Sequence, residues 1–268
     1  MKRTATIAMG VVVGLAAMWW AGACESSGDA DAEAYAAANA ARGGTMYDNW
    51  VVTTGLATPA GNHPLWASRP DTTSNTRTGL DTWRCKECHG WDYRGVDGAY
   101  GDGSHRTGFP GILNTTMTHR EVFDLLKNPA STTPNGHAFG AAGLSDAELW
   151  NLTRFVFEGP LDTSAFINAA GDYLGDVARG QALFTGGVRG ALSCESCHGA
   201  DGLTPPPGAP AGWTDFPGFI ANDNPREFQH KVRFGQPGAP AMPANFANGI
   251  SIQETADLGA FVQTLPES

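Results

Sequence analysis

The chain has 268 residues, which is more than one small core requires and favours two domains. Lys and Arg number 17 against 27 Asp and Glu, a formal charge of −10, and this acidic excess argues against nucleic-acid binding, which needs a cationic face. A basic or neutral partner suits such a surface better. The chain has only 5 cysteines, and 4 of them fall in two short stretches of identical spacing.

Residues 1–23 carry Lys2 and Arg3 ahead of an uncharged apolar run, the layout of an export signal. The run ends in "AGAC" at Cys24, which resembles the lipobox of bacterial lipoproteins, with Ala21 where that family usually has leucine. The resemblance implies lipidation of Cys24 and a membrane tether. An uncleaved segment would anchor as a helix, and an ordinary cleaved signal would leave no tether. Residues 24–37 are small and acidic and read as a flexible linker.

A first helix is expected at "ARGGTMY" from Ala41. The stretch from Val51 to Trp83 follows, rich in Gly, Pro and Thr, and reads as a loop. "RCKECHG" begins at Arg84, "FPG" at Phe109, and the amphipathic "HREVFDLLKN" at His119. "NGHAFG" carries His137, and Ser145 with Glu148 forms a capping box that opens a closing helix.

The plan then repeats. "ARGQALF" from Ala178, "SCESCHG" from Ser193, "FPG" at Phe216, "PREFQHKVRFG", Met242 in "GAPAMPANF" and the Ser251–Glu254 capping box stand in the same order. The separation between copies is 137 residues at the opening helix and then 105 to 109, so the first copy holds 28 extra residues ahead of its cysteines. That insertion is expected to wrap something which the second copy leaves open. No alternating strand pattern appears, and both units should be mostly α.

C-x-x-C-H is the attachment signature of haem c. Two thiols one helical turn apart reach the two vinyl groups of the porphyrin, and the adjoining histidine is carried beneath the ring to bind iron. Cys85, Cys88 and His89 would hold one haem, and Cys194, Cys197 and His198 a second. A four-cysteine zinc site, a thioredoxin-like redox pair and structural disulfides compete. The paired histidines, the export signal and the missing strand favour haem.

With these motifs in register, each copy resembles a class I cytochrome c: an opening helix, C-x-x-C-H, intermediate helices, a distal iron ligand and a closing helix that crosses the first. The resemblance covers residue 38 onward and implies an all-α fold of two tandem domains, 38–162 and 172–268, behind the signal and linker. It implies two covalent haem c groups, and a helix crossing of Gly180 and Phe184 with Phe261 and of Gly43 and Tyr47 with Phe155.

The sixth ligand decides between electron transfer and small-molecule chemistry. Met242 lies in the loop before the closing helix, where such cytochromes carry their methionine. His137 occupies the matching loop of the first copy and is taken as its ligand, with His63 of the insertion in reserve. His105, His119 and His230 read as solvated or hydrogen-bonded, and Trp66, Trp83 and Trp91 as pocket packing.

The resulting expectation is a diheme electron carrier tethered outside the cytoplasm, in the periplasm or at the cell surface, exchanging electrons with redox proteins. Two alternatives stand beside it. One is a diheme enzyme, peroxidase-like or thiosulfate-dehydrogenase-like, with an open first site; the other is a cytochrome subunit of a membrane dehydrogenase or oxidase.

Overall fold

A computed structural model describes residues 27–238 and 242–268. The export segment and Cys24 lie outside the described residues. Among the described residues the chain is helical, with β-type pairing confined to isolated bridges. No helix among them is long and apolar enough to cross a membrane.

Ten α-helices follow in chain order: α1 (Ser27–Ala37), α2 (Ala40–Thr54), α3 (Cys85–His89), α4 (His119–Lys127), α5 (Asp146–Glu158), α6 (Val177–Gly186), α7 (Glu195–His198), α8 (Pro217–Asp223), α9 (Pro225–Phe234) and α10 (Ile252–Val262). The expected capping boxes form at Ser145–Glu148 and Ser251–Glu254. A third, Thr118–Glu121, opens α4 and was not anticipated.

The linker reading of residues 24–37 needs correction from Ser27 onward. Alanine-rich sequence has high helix propensity, and α1 docks rather than trails. The Tyr35 ring stacks on His119 at 3.7 Å, Arg154 donates to the Ala36 and Ala38 carbonyls, and Arg120 pairs with Asp31.

In each half the opening and closing helices cross at a glycine. A Cβ on Gly43 would strike the Asn151 carbonyl and approach the Phe155 Cβ at 2.7 Å; one on Gly180 would strike the Asp257 carbonyl and approach the Phe261 Cβ at 2.7 Å. Backbones can approach this closely only where no side chain intervenes. Tyr47 then lies 5.0 Å from Phe155 and Phe184 5.4 Å from Phe261, the crossing expected from the repeat.

Buried apolar side chains gather into one core around α2, α4 and α5, another around α6, α9 and α10, and a third, aromatic, between the halves. This last cluster was not foreseen. Phe234 of α9 packs into the space above Gly44 and 5.1 Å from Phe155. His230, fully buried, donates from Nε2 to the Gly44 carbonyl at 3.0 Å and accepts at Nδ1 from the Tyr93 hydroxyl at 2.8 Å. Asp48, also fully buried, pairs with both Arg84 and Lys231 of α9; burial alone would raise its carboxyl, but the two cations hold it below the usual range.

Two expectations follow from this packing. Gly180→Ala should cost about 1–3 kcal/mol in urea unfolding, because the crossing cannot open without moving both helices. Burial depresses the His230 imidazole to about 3. The unfolded chain therefore takes up a proton near pH 6.5 that the folded chain refuses, so stability falls as pH drops from about 6.5 towards 3. His230→Gln should flatten that part of a stability-versus-pH curve.

Candidate haem-binding site

The first cysteine pair sits on a single helical turn, α3, whose placement is set by its flanks. Arg84, the residue before it, is held by buried Asp48 through its side chain and by the Asp48 carbonyl, 2.8 Å from Nε. Gly90 after it adopts φ 76°, a left-handed conformation that lets the chain leave the turn, and Gly199 repeats this at φ 75° after the second pair. Tyr47 of α2 donates to the Gly90 carbonyl at 2.6 Å, tying the turn to the opening helix.

Inside the first motif, Lys86 and Glu87 are both buried and paired at 3.1 Å, and Arg77 of the insertion reaches Glu87 at 3.2 Å. Burial would raise the Glu87 carboxyl, yet His105, Lys86 and Asn75 together bring it down to about 2. The corresponding Glu195 and Ser196 of the second motif are not buried.

Cys85, Cys88 and His89 open into a cavity of about 680 Å³ whose wall is largely apolar, including Trp66, Trp83, Met117, Val122, Phe139 and Leu152. Much of one side comes from the insertion, from His63 to Trp83, so the extra residues do wrap the first site. Trp66 and Trp83 pack the wall as expected; Trp91 instead lies in the aromatic cluster between the halves. Met117 also lines the cavity.

His89 donates from Nδ1 to the Pro110 carbonyl at 2.7 Å, which fixes the ring and leaves Nε2 free. Pro110 belongs to the repeated "FPG", noticed as a repeat marker but not as the histidine's acceptor. His137 lies opposite. The two ring centroids are 6.0 Å apart with planes 23° from parallel.

Both rings are neutral donors. Burial lowers the His89 imidazole, partly offset by its bond to Pro110; burial, then the nearby His89 and His63, lowers His137 to about 3. The buried His137 Nδ1 has no hydrogen-bond partner among the described residues. A neutral imidazole with no competing proton is the form a metal requires.

His63, the reserve ligand, is otherwise engaged. Its Nδ1 accepts from the Leu65 amide at 3.2 Å and its Nε2 donates to the His137 carbonyl at 2.8 Å. No ring nitrogen remains for iron.

At the second site, Cys194, Cys197 and His198 lie on and just before α7, and the His198 Nδ1 and Trp213 Nε1 are buried without protein partners. Met242 is half-buried and pairs with Gln236 through two backbone hydrogen bonds of 3.2 Å; His137 forms an isolated bridge with Pro129, so the two distal candidates follow α9 and α4 in equivalent loops.

The competing uses of the cysteines lose ground. All four are free thiols among the described residues, and no three His, Cys, Asp or Glu side chains there gather into a cluster that could hold a metal ion. Burial pushes Cys85 and Cys88 up to about 12 and Cys194 up to about 11, the reverse of the lowered values that make a redox pair reactive. An apolar cavity lined by two thiols and two imidazoles fits a covalently bound porphyrin iron.

Residues 175–262 match the family model described as "Cytochrome C oxidase, cbb3-type, subunit III". The match supports a c-type cytochrome with covalently bound haem c in that segment. No curated protein and no solved structure matches the chain.

Replacing Cys85 and Cys88 by Ser should remove one covalent haem from the mass of the exported protein, and replacing Cys194 and Cys197 should remove another. With all four replaced, the mass should be that of polypeptide and any lipid alone.

Proposed function

We propose that this protein is a diheme electron carrier, with one haem held by Cys85, Cys88, His89 and His137 and the other by Cys194, Cys197, His198 and Met242, in two cytochrome c-like domains, 38–162 and 172–268. The opposition of His89 and His137 at 6.0 Å carries the reading, since it supports an iron closed on both faces. Haem bound in this way supplies one-electron chemistry between ferric and ferrous iron.

The chain's residues do the rest. Pro110 orients His89, and the apolar wall keeps water from the first site. With Met242 as a ligand, the second site would have a higher potential than a first site held by His89 and His137, which would favour electron flow from the first half to the second. Asp48, His230 and Phe234 keep the halves in one arrangement.

Lipidation of Cys24 would tether the carrier outside the cytoplasm, and its acidic charge would steer a cationic redox partner in a salt-dependent way. The match over residues 175–262 favours a second reading, a cytochrome subunit docked on a membrane oxidase. Co-purification from native membranes separates it from a free carrier.

A redox titration should resolve two waves. Met242→His should move the higher wave down and leave the lower one in place, and His137→Ala should convert one of two low-spin ferric signals in low-temperature EPR to high-spin. A high-spin ferric signal in the unaltered protein would overturn the closed-site reading in favour of an enzyme.

A further inference from the structure

The His137 loop is held against its own conformational preference. Ala138, the next residue, has φ 58° and Asn135 has φ 59°, both in the left-handed region. An alanine there is strained by its Cβ, and such residues persist only when their surroundings over-determine them. On the amide side, His137, Ala138 and Phe139 donate to the Leu125, Asn128 and Leu126 carbonyls at 2.8–3.0 Å. On the carbonyl side, the peptide joining His137 to Ala138 is held by the His63 Nε2 at 2.8 Å.

His63 is itself fixed on three sides. Its amide donates to the Thr82 hydroxyl at 2.8 Å, its Nδ1 accepts from Leu65, and its ring packs edge-on against Trp83 at 4.6 Å. Thr82 donates in turn to the Gly79 carbonyl at 2.7 Å. Every one of these groups belongs to the 28-residue insertion or its boundary with the cysteine motif.

We propose that His63 is a positioning residue: it holds the strained peptide after His137 so that the His137 ring stays aimed across the cavity at His89, and the insertion exists in the first half to present it. This rests on the reading of His137 as the distal iron ligand. Without the His63 bond, the peptide keeps its amide-side anchor but loses the one on its carbonyl, so it turns more readily towards an unstrained conformation and carries the imidazole off the metal for a larger part of the time. An exogenous ligand then competes more readily, because its apparent affinity scales with the population of the open state.

The test uses the full exported holoprotein and cyanide as the probe of ferric iron. His63→Leu should raise cyanide affinity at one haem about tenfold, the equivalent of one net hydrogen bond, and leave the other haem unchanged. His63→Gln, whose amide can still donate to the His137 carbonyl, should restore the unaltered affinity; a general loosening of the fold would not be rescued in this way. Thr82→Val frees the His63 backbone while keeping its ring and should give a smaller rise of the same sign.

His137→Ala is measured alongside. If it opens the first haem while His63→Leu leaves cyanide affinity unchanged, the positioning role is overturned and the ligand assignment stands. If His137→Ala alters neither spectrum nor cyanide binding, the ligand assignment itself is wrong. Should His63→Leu fail to load haem, Thr82→Val decides, and an affinity equal to that of the unaltered protein overturns the proposal.

Discussion

Two neutral imidazoles face each other across an apolar cavity, and the first half is arranged around keeping them there. Neither arrangement is free of cost. Burying an imidazole where it cannot charge lowers its affinity for protons, and leaving its nitrogen unpaired forgoes a hydrogen bond. The chain accepts both at His137 and leaves the Nε2 of His89 uncommitted. A site of that kind makes sense as one that a metal completes.

The supporting structure runs outward from this pair. His89 is fixed by the Pro110 carbonyl, the turn that bears it by Tyr47 and by the Arg84–Asp48 pair, and Asp48 in turn by Lys231 from the other half. The glycine crossings let the opening and closing helices meet at backbone distance, which brings Tyr47 and Phe155 to the rear of the cavity. The second half thus contributes to the first site's foundations without lining its cavity. The halves differ in enclosure: Lys86 and Glu87 are buried under the insertion, whereas their counterparts in the second motif are not.

Much of the site was legible before folding was considered. Cysteines three apart with a following histidine match the haem c attachment signature in sequence alone, and the repeated glycines, "FPG" segments and capping boxes are local signals that survive divergence. Register along the repeat pairs His137 with Met242, and the isolated backbone bridges to Pro129 and Gln236 put the two residues in equivalent loops. The docking of α1 was missed, because small acidic residues read as linker until Arg154 and Arg120 come within reach.

The sequence by itself pointed to most of the helices, the repeat and the haem-attachment signature, since each depends on residues close together along the chain. Only the tertiary structure decided that His63 serves the His137 carbonyl rather than a metal, that the Pro110 carbonyl accepts the His89 hydrogen bond, and that His230, Lys231 and Phe234 of one half are buried against the other. Those assignments depend on which groups meet across tens to hundreds of intervening residues. A hydrogen bond or a buried charge pair is defined by angstroms of separation, and no spacing along the chain encodes it.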